Sequence, residues 1–215
     1  MTKINGEVNL KSSANRDSVY RDDYTDLGDQ EKLNAIEFHF EEIMKVLGLD
    51  LKNASLSETP KRVAKMYVTE VFKGLDITQF PNVSFFENTN QYHEMIMVNN
   101  IKMYSYCEHH FVPFFGKASV AYIPKDRVIG LSKINRIVQF FASKPQIQEK
   151  LTVEIGEKLK DLLKTDDIAI HIEATHLCVA SRGIEDESSQ TKTYYFNGKF
   201  LKDEEKARFL NSLNR

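Results

Sequence analysis

The sequence predicts an α+β fold with an antiparallel sheet. Two observations lead there. The extended segments come in pairs, and helical periodicity surrounds them in the order helices, two strands, two helices, two strands, helix. The apolar positions also switch between a period near 3.6 and a period of 2, so each segment declares its type.

Residues 1 to about 28 are polar, with scattered charges and few large apolar groups. Such a stretch buries too little apolar surface to offset its ordering entropy, and a mobile tail is expected there. One domain is expected over 29–215, with N-terminal helices over about 29–75 and the sheet-bearing core over about 94–215.

In the first helix Leu33, Ile36, Phe40, Ile43, Met44 and Leu47 recur at helical spacing, and Gly48 follows as a stop. The second is expected to start at Thr59-Pro60, with Thr59 as cap and Pro60 in the first turn. Val63, Met66, Tyr67 and Val71 form its stripe and Gly74 its end. Residues 95–122 read as extended, with alternation through Ile101-Lys102-Met103-Tyr104-Ser105, and Pro124-Lys125-Asp126 closes them as a turn. A helix follows with Ser132 as expected cap and Ile134, Ile137, Val138 and Phe141 facing inward. Another, after Pro145, carries Ile147, Leu151, Ile155, Leu159 and Leu162 on one side. Residues 168–179 read as one long strand and 191–196 as another. A short amphipathic helix holding Phe209, Leu210 and Leu213 ends the chain.

Composition narrows the function. Of 215 residues, 41% are hydrophobic and 28% charged, which suits a soluble globular chain. Lys plus Arg (29) nearly balances Asp plus Glu (31), which argues against a general nucleic-acid or membrane-surface binder. An anionic ligand therefore needs a local cluster of cations. No apolar run reaches a membrane span, and the first ten residues lack a secretory pattern. The two cysteines, Cys107 and Cys178, leave one long-range disulfide open, but so few in so large a domain do not resemble a secreted scaffold. A cytoplasmic location with free thiols is expected.

Cys107-Glu108-His109-His110 is the most informative stretch. A Cys and a His three apart can reach one metal from a turn, and thiolate with imidazole suits zinc. The other thiol lies in His176-Leu177-Cys178, where a continuous strand points His176 and Cys178 to the same side. Cys107, one histidine of the pair and Cys178 make three ligands, leaving a place for water as catalytic zinc sites do. A closed four-ligand site with His109 or His176 as the fourth donor fits the spacing too. For either cysteine alone, a buried small hydrophobe is the ordinary reading.

Gly130-Leu131-Ser132-Lys133-Ile134-Asn135-Arg136 places a Lys and an Arg at a helix start, where backbone amides already favour an anion. Arg136 can add bidentate bonds to phosphate, though a solvated helix face explains the pattern equally well. Arg62 and Arg182 are further cations, Arg182 lying four residues beyond Cys178. Gln148-Glu149 opens a helix, where an acidic residue serves the helix dipole; a carboxylate there can also accept paired hydrogen bonds from guanine. No phosphate-binding GxxxxGK[ST] loop is present.

Taken together these stretches resemble GTP cyclohydrolase I. The matching pieces are TPKRVAKMY at 59–67, CEHHFVP at 107–113, YIP at 122–124, VIGLSKINR at 128–136, QIQE at 146–149, HLC at 176–178 and RG at 182–183. Any one is weak; the ordered set is specific, and the likeness covers about residues 32–213.

The resemblance implies a tunnelling fold: a four-stranded antiparallel sheet with two helices between hairpins, five subunits joining sheets into a barrel, and two rings stacked as a homodecamer. It implies one zinc per subunit, held by Cys107, His110 and Cys178, with His109 as a neighbouring catalytic histidine and His176 as general acid/base. Arg62, Lys133, Arg136 and Arg182 would hold the triphosphate of GTP, Ser132 would lie near the ribose, and Gln148 and Glu149 would read the guanine. The implied reaction opens the guanine five-membered ring, releases formate and yields 7,8-dihydroneopterin triphosphate. No nucleic acid or membrane partner is implied. Two other readings stand beside it. One is a zinc module that binds without turnover. The other is a related tunnelling-fold enzyme acting on a pteridine or deazaguanine, against which the complete Cys/His/Cys trio weighs.

Overall fold

The computed structural model describes residues 27–213. The tail expected over 1–28 lies, up to residue 26, outside the described residues.

Helix α1 (Asp29–Val46) ends as the sequence suggests. Gly48 takes the left-handed conformation at φ 77°, and the amides of Gly48 and Leu49 donate to the carbonyls of Lys45 and Met44. Only glycine adopts that backbone without a Cβ penalty. The apolar stripe of α1 is only partly used, however. Met44 is buried, while Ile43, Val46 and Leu47 are 51%, 87% and 70% exposed.

Helix α2 (Thr59–Lys65) starts one residue earlier than expected. Thr59 is its first residue and Glu58 the flanking one, with no side-chain cap, so Thr59 does not cap. Nor does Gly74 end it. The helix widens into a π-helical turn (Met66–Val71), and a 3-10 turn (Lys73–Leu75) follows. Gly74 sits there because its amide donates to Ser143 at 2.8 Å, and a Cβ would lie 2.3 Å from the Phe140 carbonyl. Close backbone approach, not helix termination, explains this glycine.

Two short strands that the sequence did not announce, β1 (Phe85–Glu87) and β4 (Arg127–Ile129), pair with each other. Between them β2 (Ile96–Cys107) and β3 (Pro113–Tyr122) form the first hairpin, with a register shift between Val98 and Ile101.

Helix α3 (Leu131–Ala142) follows. Its N-cap is Gly130, and Ser132 is already the second helical residue, so the expected Ser132 cap is not formed. Helix α4 (Gln148–Leu163) starts after Ile147, which lies outside the helix and is 38% exposed.

The second hairpin is β6 (Ile168–His176) and β7 (Thr191–Phe196). The expected continuous strand over 168–179 stops at His176, and the helical turn α5 (Leu177–Ala180) takes its place. Helix α6 (Asp203–Leu213) closes the chain.

The four expected strands form one antiparallel unit, β2-β3-β6-β7, so the α+β class holds. A fifth, two-residue strand, β5 (Pro145–Gln146), adds in parallel to β2. Helices α3 and α4 cover one face, and the core between is apolar. Phe114, Val120, Ile134, Ile137, Leu151, Ile155, Leu159 and Ile170 are fully buried. Each such aliphatic side chain contributes about 1.5–3 kcal/mol on leaving water. A smaller cluster of Ala121, Ile123, Ala169, Phe200 and Phe209 seats α6 against the strand ends. Among the described residues no helix is long and apolar enough to cross a membrane.

Gly116 is the tightest point of the sheet. A Cβ there would meet the Glu173 carbonyl oxygen at 1.9 Å, on the strand that fixes the position of His176. Gly116→Ala should therefore destabilise the protein by about 2 kcal/mol or more. Urea unfolding at fixed protein concentration measures this, and an unchanged midpoint would refute the tight packing.

Candidate metal and substrate site

The site forms where both hairpins end. The β3–β6 register pairs Phe114 with His176, so the turn after β2 and the turn after β6 meet at one end of the sheet. In the first turn the Phe111 amide donates to the Cys107 carbonyl and the Cys107 amide to the Val112 carbonyl, both at 2.9 Å. Phe111 is left-handed at φ 52°, a conformation costing an L-residue about 1–2 kcal/mol. Its ring packs on Phe72 at 5.5 Å and Tyr67 at 6.4 Å, holding the strained turn from the helical side.

Cys107, His110 and Cys178 each offer a donor atom, and these atoms all lie within 4.8 Å of one another. Both thiols are free. The Cys107 sulfur lies 3.8 Å from His110 Nδ1, close to the edge of about 3.6 Å that ideal Zn–S and Zn–N bonds subtend in a tetrahedron. Two sulfurs and an imidazole nitrogen at this separation fit zinc, and no rearrangement of backbone is needed. Burial pushes the Cys178 thiol up, Cys107 beside it adds to the rise, and Arg182 opposes it. A metal cation supplies the positive charge that thiolates here would need.

His110 is held from outside by Arg182, whose Nη1 lies 3.0 Å from its Nε2. A guanidinium only donates, so this contact belongs to the metal-free ring; a metal on Nδ1 puts the ring proton on Nε2 and turns Arg182 outward. His109 also lies beside the group, with Nδ1 at 3.7 Å from the Cys107 sulfur, but its ring is exposed and its Nε2 is 3.9 Å from Glu108. The histidine whose donor atom closes the three-residue group is therefore His110.

His176 stands apart from the group. Because β6 stops there, His176 points to the helix-covered side while Cys178, on the helical turn, points to Cys107. The expectation that strand alternation aims both to one side is corrected accordingly. His176 lies flat on Phe114, 4.6 Å between ring centres and 7° between planes. Its Nε2 is 2.8 Å from Gln148 Oε1.

The Gln148 amide settles the tautomer. Its Nε2 donates to the carbonyls of Ile172 (3.2 Å) and Thr191 (3.0 Å) and to Thr193 Oγ1 (3.0 Å), so Oε1 must face the histidine. His176 Nε2 then carries the proton and donates it, and Nδ1 is the basic nitrogen. Burial pushes the imidazole down, opposed by the charge of Glu149, so it is neutral near pH 7. Gln148 is 1% exposed, and both its N–H groups are committed within the chain. Glu149, next to it in the first turn of α4, is exposed. Neither the Phe114 stack nor the Gln148 clamp left any mark in the sequence pattern.

The cations divide into two sets. Arg182 adjoins the Cys107–His110–Cys178 group, and Arg62 is exposed on α2, whose continuation carries Tyr67 onto Phe111. Ser132, Lys133 and Arg136 start α3, and that start is at the other end of the sheet. The Ile129 amide reaches Tyr122 Oη there, and Tyr122 pairs with Ile96 and Ile168. The opposite end of α3 leads to Pro145 and Gln146 beside Tyr106 and Cys107. A 12-residue helix, roughly 18 Å, lies between. One chain does not bring its two cation sets together.

The Gln148 clamp makes a checkable statement. In Gln148→Leu, zinc content should stay at the wild-type level, measured by metal analysis. Any turnover that uses His176 should fall about a hundredfold, because an unfixed tautomer removes an oriented proton carrier. Full activity with an unaltered pH profile would show the clamp to be merely structural. In Cys178→Ser, the same metal analysis should show zinc lost.

Residues 36–214 match the GTP cyclohydrolase I family profile. A protein of Tolumonas auensis described as GTP cyclohydrolase 1 is 56% identical over 177 residues, covering 82% of each chain. One from Aeromonas hydrophila is 54% identical over 190 residues, covering 88% of this chain and 87% of that one. One from Flavobacterium johnsoniae is 48% identical over 198 residues, covering 92% and 89%. Likeness of this depth along nearly the whole described length, with a thiol–imidazole–thiol group in place, shows that the chain belongs to the GTP cyclohydrolase I family.

Proposed function

We propose that this chain hydrolyses GTP to 7,8-dihydroneopterin triphosphate and formate, the opening step of pterin and tetrahydrofolate synthesis. The observation that carries the reading is the Cys107–His110–Cys178 group lying at the same sheet end as a neutral, clamped His176. Two waters enter and one leaves per turnover. Carbon 8 of the purine leaves as formate after both of its ring C–N bonds are hydrolysed, and the ribose then rearranges to a ketone and condenses with the freed amine, releasing one water. The phosphates stay intact, which accords with the lack of a phosphate-cleaving loop.

Cys107, His110 and Cys178 would hold zinc, one ion per subunit. When bound, zinc supplies a Lewis acid that makes water nucleophilic near neutral pH. The remaining steps belong to side chains. His176 takes and returns a proton at Nδ1 while Gln148 keeps Nε2 occupied. Gln148 was expected to read guanine directly; with its N–H groups used internally, its part is to position His176. Glu149, exposed beside it, accepts the paired N–H groups of the guanine edge. His109 completes the histidines around the reacting ring. Arg182, Arg62, Lys133 and Arg136 neutralise the triphosphate, and Ser132 lies near the ribose.

This assignment requires more than one chain, since the α3 cations and the metal group sit at opposite ends. Other features support self-association. The exposed apolar side chains of α1 lack a partner among the described residues, and β7 leaves one sheet edge open for pairing. We infer the tunnelling-fold assembly, with five sheets closing a barrel and two rings forming a homodecamer, and with active sites between subunits. The free thiols accord with a cytoplasmic enzyme.

Zinc-loaded protein incubated with GTP should release formate and a pterin that fluoresces after oxidation. Zinc-loaded, assembled protein that yields neither would sink the proposal. Complementation tests the sharing of sites. Arg136→Ala and His176→Ala should each be inactive. Dissociated and reassembled together they should recover roughly a quarter of wild-type activity, the share of sites that draw both intact residues from different chains. No recovery in properly sized mixed oligomers would place both residues on one chain's site.

A further inference from the structure

Helices α3 and α4 cover one face of the sheet; the other carries a cavity of about 750 Å³ that the proposed reaction does not use. Its floor is a charged row running straight across four strands. Lys102 is the Cα partner of Lys117, Lys117 of Glu173, and Glu173 of Lys192. All four line the cavity.

The row is electrostatically unfinished. Glu173 pairs with Lys192 at 3.2 Å. Lys102 and Lys117 are exposed and make no ion pair among the described residues, yet they stand directly opposite each other. Like charges opposed across an antiparallel pair are destabilising, so this pair favours an anion from outside. The adjoining step of the pleat adds Tyr104 and Phe115, stacked at 5.8 Å, which form an apolar wall beside the two ammonium groups.

A second, independent observation points the same way. On the row beyond, Ser119 pairs with His171 and His171 with Tyr194. His171 lines the cavity, is 7% exposed, and its Nε2 has no hydrogen-bond partner. A buried polar atom left unmet costs about 1–3 kcal/mol, a cost that a ligand can remove. Burial pushes this imidazole down, with Glu173 opposing and Lys192 adding to the fall, so it meets a ligand as a neutral group. Lys117 and His171 lie on adjacent strands one pleat step apart, within reach of one multi-oxygen anion.

We propose that the sheet face opposite α3 and α4, bordered at one end by Leu210 and Leu213 of α6, binds a phosphate-class oxyanion between Lys102, Lys117 and His171. Two ammonium groups suit a doubly charged group better than a single carboxylate. The inference does not rest on the catalytic reading.

The test titrates inorganic phosphate, and separately tripolyphosphate, into zinc-loaded assembled protein carrying Arg136→Ala and Lys133→Ala, which weaken the proposed substrate-phosphate contacts; the Lys102, Lys117 and His171 readouts below report the sheet-face site itself. Calorimetry should detect binding, and the His171 ring nitrogen resonances should move with it. The tighter of the two probes identifies a single phosphate or a triphosphate tail as the ligand group. Adding Lys117→Glu, an exposed strand position, should weaken binding about tenfold or more, the loss of one charge-assisted contact. Lys102→Gln should weaken it in the same direction. Absence of binding, or equal binding with and without these substitutions, overturns the proposal. So does binding that leaves the His171 resonances unmoved.

Discussion

The pairing of β3 with β6 is the constraint on which the remaining structure depends. By setting Phe114 opposite His176, it brings two turns together from chain positions about seventy residues apart. Cys107 and His110 arrive on one turn and Cys178 on the other. Gly116 is the point where the two strands crowd closest, since a side chain there would run into the backbone of Glu173. A one-residue slip would turn Phe114 out of the core and move His176 away from Gln148.

Around that register the chain builds rigid support for groups that must not wander. The turn bearing Cys107 carries a left-handed Phe111, held by Phe72 and Tyr67. His176 is gripped on its face by Phe114 and at one nitrogen by Gln148, itself tied to two strands. The thiol–imidazole–thiol group is thus set by one hairpin end and a helical turn, while His176 is set by the helix-covered core. The two can be perturbed separately, which suits a reaction needing both a Lewis acid and an oriented base.

The same sheet leaves two kinds of unfinished business at its boundaries. The open edge of β7 and the exposed stripe of α1 are surfaces suited to more protein. The face opposite α3 and α4, with its unmatched lysines and unpartnered imidazole, is suited to an anion. Assembly and ligand binding on this chain therefore draw on different chemistry, apolar contact and backbone pairing for the first, charge for the second.

The sequence by itself determined the α+β class, the helices α1, α3 and α4, the paired strands and the candidate cysteine and histidine donors, with the choice of histidine left open, because periodicity and spacing are local properties. Resemblance to the family, carried by ordered motifs, supplied residue roles that spacing left open. Tertiary structure decided the rest. Leu177–Ala180 coils where β-rich neighbours suggested a strand, since Cys178 must turn back toward Cys107 while His176 stays with the core. Gln148 became a clamp because two carbonyls from β6 and β7 claim its amide, a contact between residues 24 to 43 positions apart. Gly74 proved to be a packing glycine because Phe140 and Ser143 approach it through space. Lys102 and Lys117 became one charged pair only when the hairpin closed. Contacts between distant residues depend on register and helix placement, which no local pattern encodes.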